Sequence, residues 1–460
     1  MIADPSQIFL FRTTFDSLRI LSATDFLLRV GMNLSFCNRF KRVVEVQIAI
    51  RRKPVAGIQQ PRPTLAAHQR QVLRLWAMPF VLFGLLVIVA THKAITTSAI
   101  ACAVYPQCVG YVYRWRSTSQ SCPCLILIES DKEPRLWAEW ANPVNASEIV
   151  RQLATSGDLR VLQLINRRLR ILPEELRRCK DLRHISLLYT ETESFPRWAQ
   201  EFWKLEFLHI EGKSDLPSLQ SLPEDLFANM HGLVFLHLGA HSELPSVPSF
   251  HGLSGLKRAT FAHLFALTAL PVFDSLSRLT RLELIYLPAL VALPDMAPLT
   301  HRLRHFTAFR PMPICCNGFF RACDLTHPFC TPNAAISIPP VICLEDVSSL
   351  ATPATQHILQ MNAASVCHQV EDVIPQAPTE ASVDECRGQR FRECRRLSTA
   401  GSANTVMASG ICINSRMQVL ACAFGPNDIE VRRRQIELGV GSACDTAIEA
   451  WFGCEKRALT

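Results

Sequence analysis

Apolar residues recur along the middle of the chain in a short, repeated pattern. A string of the form Leu-x-x-Leu-x-Leu, or a close variant of it, begins at residues 159, 182, 205, 233, 256, 279 and 303. The seven strings are LRVLQL, LRHISL, LEFLHI, LVFLHL, LKRATF, LTRLEL and LRHFTA. Alternation of this kind places the apolar side chains on one face of a short strand. The pattern therefore predicts seven similar strands, each followed by a return segment.

A repeat of this length and composition is typical of the leucine-rich repeat. One repeat cannot bury its own apolar face, so stacked neighbours have to supply the core. The sequence therefore predicts an α/β leucine-rich-repeat solenoid over residues 153–311. The asparagine that usually follows the strand is replaced at six positions, so the turns must satisfy their backbone groups in another way. These positions are Arg167, Thr190, Lys213, His241, Leu264 and Leu287.

The strand positions that point away from the core are candidates for ligand contact. Stacking of the repeats predicts that Phe207 lies beside Phe235 and that His209 lies beside His237. Exposed aromatic and arginine side chains are typical of protein-binding hot spots. The alternative is an ordinary solvated strand face. Paired histidines also suggest binding that changes between about pH 5 and 7. The candidate ligand-binding residues are His184, Phe207, His209, Phe235, His237, Arg258, Arg281 and His305.

A second apolar segment lies upstream of the repeats. Residues 72–91 read VLRLWAMPFVLFGLLVIVAT, and the stretch from Leu75 to Ala90 contains no charged residue. About 20 residues span the hydrocarbon core of a bilayer. The sequence predicts one transmembrane helix over residues 72–91, and the alternative is a buried core helix.

Charge on the two flanks predicts the orientation of this helix. Residues 36–74 hold nine Lys and Arg residues, whereas only Lys93, Arg114 and Arg116 lie in residues 91–128. The positive-inside rule then predicts a cytosolic arm over residues 1–71 and an extracytoplasmic cap region over residues 92–152. The basic arm also accounts for the net charge of +8, so nucleic-acid binding is not expected. In this orientation Asn145 is the predicted glycosylation site and Asn33 is not.

Cysteine is concentrated after the repeats. The chain has 18 cysteines, and no Cys-x-x-Cys pair of the kind that zinc sites use occurs. Disulfides in an oxidising compartment are favoured over metal binding or reduced thiols. Because the cysteines begin where the last repeat ends, residues 312–460 are predicted to form a disulfide-rich domain that caps the solenoid. The disulfide candidates are Cys315, Cys316, Cys323, Cys330, Cys343, Cys367, Cys386, Cys394, Cys412, Cys422, Cys444 and Cys454.

The cysteine-rich end also resembles a known family. The strings PICCNGFFRACDLTHPFC, NSRMQVLAC and CDTAIEAWFGC are similar to the WLGC-domain family, leucine-rich-repeat transmembrane proteins of oomycetes with a cysteine-rich C-terminal domain. The tetrapeptide at 451–454 has Phe452 where the family name has Leu. In CDTAIEAWFGC, Thr446 and Glu449 are predicted to form a capping box for a short helix. The resemblance covers residues 75–460 and implies membrane location and repeat-based recognition.

The sequence contains no motif of the main enzyme classes. The strings GxxxxGK[ST], HExxH and GxSxG do not occur. No catalytic residue, metal site or cofactor is therefore predicted. The leading hypothesis is a membrane-anchored, extracytoplasmic protein that binds a protein or peptide on its concave face. The alternative is a structural or adhesive surface protein that acts as a homo-oligomer through homotypic association.

Overall fold

The computed structural model describes most of the chain in two separate units. The first unit comprises residues 1–101 and 113–120, and the second comprises residues 102–112 and 121–460. The ranges that the structure describes are 23–51, 63–114, 121–213, 218–309, 312–326, 330, 332, 340–346, 349–367, 377–398 and 406–454. The predicted cytosolic arm therefore lies partly outside the described residues.

The first unit contains two long helices, α1 (Ala23–Arg51) and α2 (Pro63–Cys102). Within the described side chains, the segment of α2 that is long and apolar enough to cross a membrane is Leu82–Cys102, with a mean hydropathy of 1.6. This segment overlaps the second half of the predicted span. The first half of that prediction falls on side chains outside the described residues. Composition and length alone make Leu82–Cys102 a candidate, and they do not determine its topology.

The second unit is built around one sheet of nine strands in chain order. The first strand pairs antiparallel with the second, and every later neighbour is parallel. Two helices, α3 (Trp137–Ala141) and α4 (Ser147–Ala154), precede the third strand. The strands are β1 (Cys108–Tyr111), β2 (Cys124–Ser130), β3 (Val161–Ile165), β4 (His184–Leu188), β5 (Phe207–Glu211), β6 (Phe235–Gly239), β7 (Arg258–Ala262), β8 (Arg281–Ile285) and β9 (His305–Phe309).

The seven predicted repeat strands are β3 to β9, so the solenoid prediction is confirmed. The second and fourth residues of each strand point into the core, and all of them are at most 2% exposed. Most of these residues are Leu or Ile, and two strands combine a small with a bulky residue, Ala259 with Phe261 in β7 and Phe306 with Ala308 in β9. Each fully buried large side chain contributes about 1.5–3 kcal/mol. Stacking of the coils therefore supplies the core that no single repeat could form.

At or near the positions where the repeat asparagine is missing, other side chains make hydrogen bonds to backbone groups. The Oγ1 atom of Thr192, two residues after Thr190, donates a hydrogen bond to the Leu169 carbonyl at 2.9 Å. Lys213 is 2% exposed, and its ammonium donates to the Trp140 carbonyl at 2.5 Å. His241 Nδ1 accepts the backbone N–H of Leu219 at 3.3 Å. Side chains of different chemistry thus bond to backbone groups of neighbouring coils or, for Lys213, to a carbonyl of α3.

The cysteine-rich segment that follows the repeats closes the last coil. The Ala308 N–H donates to the Ser365 carbonyl at 3.0 Å, and the Ala308 carbonyl accepts the Cys367 N–H at 3.1 Å. Helix α5 (Pro353–Met361) leads into this edge contact. Disulfides Cys315–Cys367, Cys316–Cys330 and Cys323–Cys343 hold the segment together. As predicted, the described residues between 312 and 367 cover the apolar edge of the solenoid.

Residues 377–454 occupy a different place. They form helix α6 (Glu380–Asp384), a sheet of β10 (Glu393–Ser398), β11 (Val406–Asn414) and β12 (Leu420–Ala423), and helix α7 (Pro426–Leu438). Val383 and Val419 pack against Trp140, Leu188 and Tyr189, which belong to the first coils and not to the last. The capping prediction is therefore wrong for this part. All twelve cysteines are paired within their own half of the region, so no disulfide ties this part to the last coil.

The local prediction at Thr446 also differs from the structure. Asp445 Oδ1 accepts the N–H groups of Ala447 and Ile448, and Glu449 Oε1 accepts the Asp445 N–H at 3.1 Å. Asp445 therefore caps this turn in place of Thr446, because its carboxylate reaches the two following amides. A short 3₁₀ helix, Ala450–Phe452, follows this turn. The disulfide between Cys444 and Cys454 links the residues on either side of the turn and the helix.

Candidate functional site

Two columns of side chains cross the concave face of the parallel sheet. The strand register aligns the first residue of each strand with the first residue of the next, and likewise the third with the third. The first column reads Val161, His184, Phe207, Phe235, Arg258, Arg281 and His305. The second column reads Gln163, Ser186, His209, His237, Thr260, Glu283 and Thr307. The eight predicted ligand-binding residues all lie in these two columns.

An aromatic stack lies in the first column. The ring centroids of Phe207 and Phe235 are 4.3 Å apart with an interplanar angle of 5°. The His184 ring lies 4.0 Å from Phe207 on the other side and is almost parallel to it. His184 is 7% exposed, whereas the two phenylalanines are half-buried. His184 therefore packs against the face of Phe207 opposite to Phe235, and the two phenylalanine rings provide the exposed apolar surface.

Beyond the aromatic stack the column becomes basic. Arg258, Arg281 and His305 are exposed. Arg281 makes two contacts with Glu283 Oε1, at 3.0 Å from Nε and 2.6 Å from Nη2. Thr260 Oγ1 also donates to this carboxylate, to Oε2 at 2.9 Å. The concave face thus combines an apolar patch of stacked rings with the adjoining guanidinium groups of Arg258 and Arg281.

The second column contains a cluster of three groups that could ligate a metal. His209 Nε2 lies 3.2 Å from Glu211 Oε2, and the His209 and His237 rings are 4.2 Å apart. One ligand atom from each of His209, Glu211 and His237 lies within 4.8 Å of the others. Among the described residues, the other group of this kind is Cys102, Cys108 and Cys122, whose sulfurs are used in disulfides.

The protonation states of the cluster follow from its surroundings. Burial, followed by the charge of His209, lowers the pKa of His237 to about 3. Its ring therefore stays neutral between pH 5 and 7 in the free chain. Burial acts to raise the pKa of Glu211, but the hydrogen bond from His209 and the nearby positive charges outweigh it, so this pKa lies below its usual value.

Sequence analysis placed His209 beside His237 but did not include Glu211. The signal was present in the string FLHIE, because two residues that are two apart in a strand share a face. His209 and Glu211 therefore project from the same side of β5, and the register adds His237 from β6.

The loop between β11 and β12 reaches the edge of this cluster. The Tyr189 hydroxyl donates to the Arg416 carbonyl at 3.0 Å and lies 3.5 Å from Glu211 Oε1. Asn166 Nδ2 donates to the Gln418 carbonyl at 3.0 Å. The charge of Arg416 acts on both Glu211 and His237. The C-terminal region is thus a neighbour of the concave face.

A buried ion pair stabilises the end of the C-terminal region. Arg432 donates from Nε and Nη2 to the two oxygens of Glu449, at 2.6 Å and 2.8 Å. Its guanidinium lies 3.9 Å from the centre of the Phe391 ring. The Trp451 indole donates to the Phe391 carbonyl at 3.0 Å. The tetrapeptide Trp-Phe-Gly-Cys is therefore connected to α7 and to the residues before β10.

Two solved structures align with parts of the chain. An LRR protein of Leptospira interrogans is 18% identical and covers 36% of this chain, with a TM-score of 0.24. The match spans 46% of that protein. A plant ice-binding protein is 16% identical and covers 57% of this chain and 97% of its own, with a TM-score of 0.21. Both TM-scores are too low to assign a fold, and the strand register of this chain establishes the solenoid by itself.

A comparison with curated proteins gives no match. A sequence model of the WLGC domain, by contrast, matches residues 381–455. This range begins in α6 and includes β10 to β12, α7 and the Trp451–Cys454 tetrapeptide, with three disulfides inside it. The chain therefore carries a WLGC domain, and the predicted resemblance to the WLGC-domain family is confirmed for residues 381–455.

Proposed function

We propose that this chain is a membrane-anchored, extracytoplasmic leucine-rich-repeat protein that binds a protein or peptide ligand on its concave face. The observation that carries the proposal is the parallel stack of Phe207 on Phe235, continued by exposed Arg258 and Arg281 in the same column. Aromatic and arginine side chains dominate the energetics of known protein interfaces.

The stack is suited to binding because it is already ordered. Phe207 is held between the rings of His184 and Phe235, at centroid distances of 4.0 Å and 4.3 Å. A side chain fixed in this way loses little conformational entropy when a ligand covers it. The cationic end of the column favours a ligand with an apolar anchor followed by acidic groups.

The disulfides support the extracytoplasmic location. Cys102, the last residue of the candidate membrane span, is bonded to Cys122, and Cys108 is bonded to Cys124 nearby. Disulfides persist in oxidising compartments and are rare in the cytosol. A bridge that begins where the span ends favours an orientation in which the repeats follow on the extracytoplasmic side.

Selection of displayed peptides on the full chain in nanodiscs would provide a ligand for a direct test. We expect that the double variant Phe207→Ser with Phe235→Ser binds such a peptide at least about tenfold more weakly, because the apolar anchor is lost. Trp203→Ser is the matched control, since Trp203 is 54% exposed and lies outside the strands.

Two outcomes would contradict the proposal. One is unchanged peptide affinity in the double variant, and the other is an equal loss in the Trp203→Ser control. Light scattering on the same samples tests the alternative function. Self-association that rises with concentration and disappears in the double variant would indicate homotypic association through this face.

A further inference from the structure

The cluster of His209, Glu211 and His237 has a chemistry that peptide recognition does not require. Two imidazoles and one carboxylate come together from two adjacent strands, and Glu211 stands beside both rings. On an ordinary solvated strand face, charged and polar side chains point to water independently. Here they are only partly exposed, with His209 and Glu211 each 20% accessible at their side chains.

We propose that His209, Glu211 and His237 bind a divalent transition-metal ion of the zinc type, with one coordination position left open to the concave face. Imidazole nitrogen and carboxylate oxygen together suit zinc and its neighbours in the first transition series. Two histidines and one glutamate are also a ligand set that leaves the fourth position of a zinc ion for water or a ligand.

The strand geometry explains how the three groups can converge. Side chains at directly opposed positions of neighbouring strands lie about 4.8 Å apart, and His209 opposes His237. The present separation of the ligand atoms, at most 4.8 Å, is wider than a bound ion requires. Metal–nitrogen and metal–oxygen bonds are about 2.0–2.2 Å long, so binding requires side-chain rotations that bring the three ligand atoms closer together.

The neighbouring groups act on the site in opposite directions. The Tyr189 hydroxyl lies 3.5 Å from Glu211 Oε1, and such outer contacts orient a metal-ligating carboxylate. The positive charge of Arg416, which belongs to the WLGC domain, opposes a bound cation. A metal ion on the solenoid would therefore interact electrostatically with the β11–β12 loop.

The direct test uses Co²⁺ as a spectroscopic probe and the full chain without an affinity tag. We expect one Co²⁺ per chain, displaced by Zn²⁺, and at least about tenfold weaker binding in Glu211→Gln and in His237→Gln. His251→Gln is the matched control, because His251 is exposed and lies outside the strands, and the Co²⁺ affinity of this variant should equal that of the wild type.

A gain of affinity provides a second readout. Arg416→Asn removes the opposing charge and keeps a residue that tolerates the positive φ of 57° at this position. We expect this variant to bind Co²⁺ about threefold or more tightly. A cation held by scattered surface histidines would not respond to this change.

X-ray absorption of the Zn²⁺-loaded wild-type chain keeps the proposal testable if the ligand variants fail to fold. The expected first shell contains two imidazole nitrogens and carboxylate oxygen. A sulfur shell, a shell of oxygen alone, or Co²⁺ binding that Glu211→Gln and His237→Gln leave unchanged would overturn the assignment. Because no peptide is present, these outcomes are independent of the proposed peptide binding.

Discussion

Arg432 and Glu449 form a two-pronged ion pair that is almost completely buried, with each residue 1% exposed. The pair joins α7 to the turn before the Trp-Phe-Gly-Cys tetrapeptide, and Nη1 of Arg432 also donates to the Ser442 carbonyl at 3.1 Å. The charge of each side chain is therefore neutralised by the other inside the WLGC domain, and removal of either one leaves a buried charge without a partner.

Removal of one partner should destabilise this domain strongly. For Glu449→Gln we expect a loss of about 3–5 kcal/mol, because a buried guanidinium is left without its counter-charge. Hydrogen exchange of the amides of α7 and of residues 442–454 would measure the loss. Arg433→Ala is the matched control, since Arg433 pairs with Glu430 on the solvent side of the same helix, and faster exchange in that variant would argue against burial as the cause.

The Tyr189 hydroxyl is one of the groups that connect the solenoid to the loop after β11. Tyr189→Phe removes the hydrogen bond to the Arg416 carbonyl while the ring remains packed against Trp140. We expect a local cost of about 1 kcal/mol, measured as faster amide exchange in residues 415–418. Amides of β7 to β9 serve as an internal control, and a change there would mean that the variant disturbs the whole sheet.

Acid should weaken the solenoid through His241. Burial lowers the pKa of His241 to about 4 from an ordinary value of 6.5. Between these values the unfolded chain takes up a proton that the folded chain does not, so the unfolding free energy falls as the pH falls, by up to about 1.4 kcal/mol per pH unit. Denaturation measured between about pH 4.5 and 7 should give a slope that is smaller in His241→Gln by up to about one proton, with the largest difference near pH 5.

An exposed histidine provides the control for this experiment. The slope for His305→Gln should match that of the wild type. If His241→Gln had the wild-type slope as well, a different group would be responsible for the acid sensitivity.

Thiol labelling should distinguish the two cysteines that form no disulfide. Cys37 is exposed and Cys179 is buried, and burial raises the pKa of the Cys179 thiol to about 11. Under native, non-reducing conditions we expect an alkylating reagent to modify Cys37 and not Cys179, because the thiolate is the reactive form. Peptide mapping after labelling in denaturant should then find Cys179 modified and the other sixteen cysteines in eight pairs.

Glycosylation tests the orientation of the membrane segment. We expect glycan on Asn145, which is exposed just before α4, and none on Asn33, because only one side of the membrane carries the transferase. Mobility before and after glycosidase treatment would be compared between Asn145→Gln and Asn33→Gln. A shift that disappears in Asn33→Gln instead would reverse the topology.

The concave columns could be predicted from sequence because the repeat length fixes the register. Phe207 beside Phe235 and His209 beside His237 follow from counting residues, and both pairs are present. The burial of His184 could not be predicted from the repeat length, since burial depends on groups outside the repeat. Glu211 was not predicted, because it lies in neither column and is related to His209 only by the spacing of two residues within β5.

The position of the WLGC domain was beyond sequence analysis for a related reason. Its cysteines identify a stable unit, but the surface on which that unit docks is determined by contacts far apart in sequence. The cluster that joins Val383 and Val419 to Leu188, and the hydrogen bond between Asn166 and Gln418, are contacts of this kind. Nothing in the repeat period indicates that the first coils, and not the last, carry these partners.

Both margins of the long sheet are occupied by segments from outside the repeats. On one side, β1 is a four-residue antiparallel strand with irregular register, and on the other side Val366 bridges to Ala308. Short, irregular or covered margins do not template the addition of further chains. Crowded copies of this protein should therefore resist fibril growth, even though each one contains a continuous ladder of parallel strands.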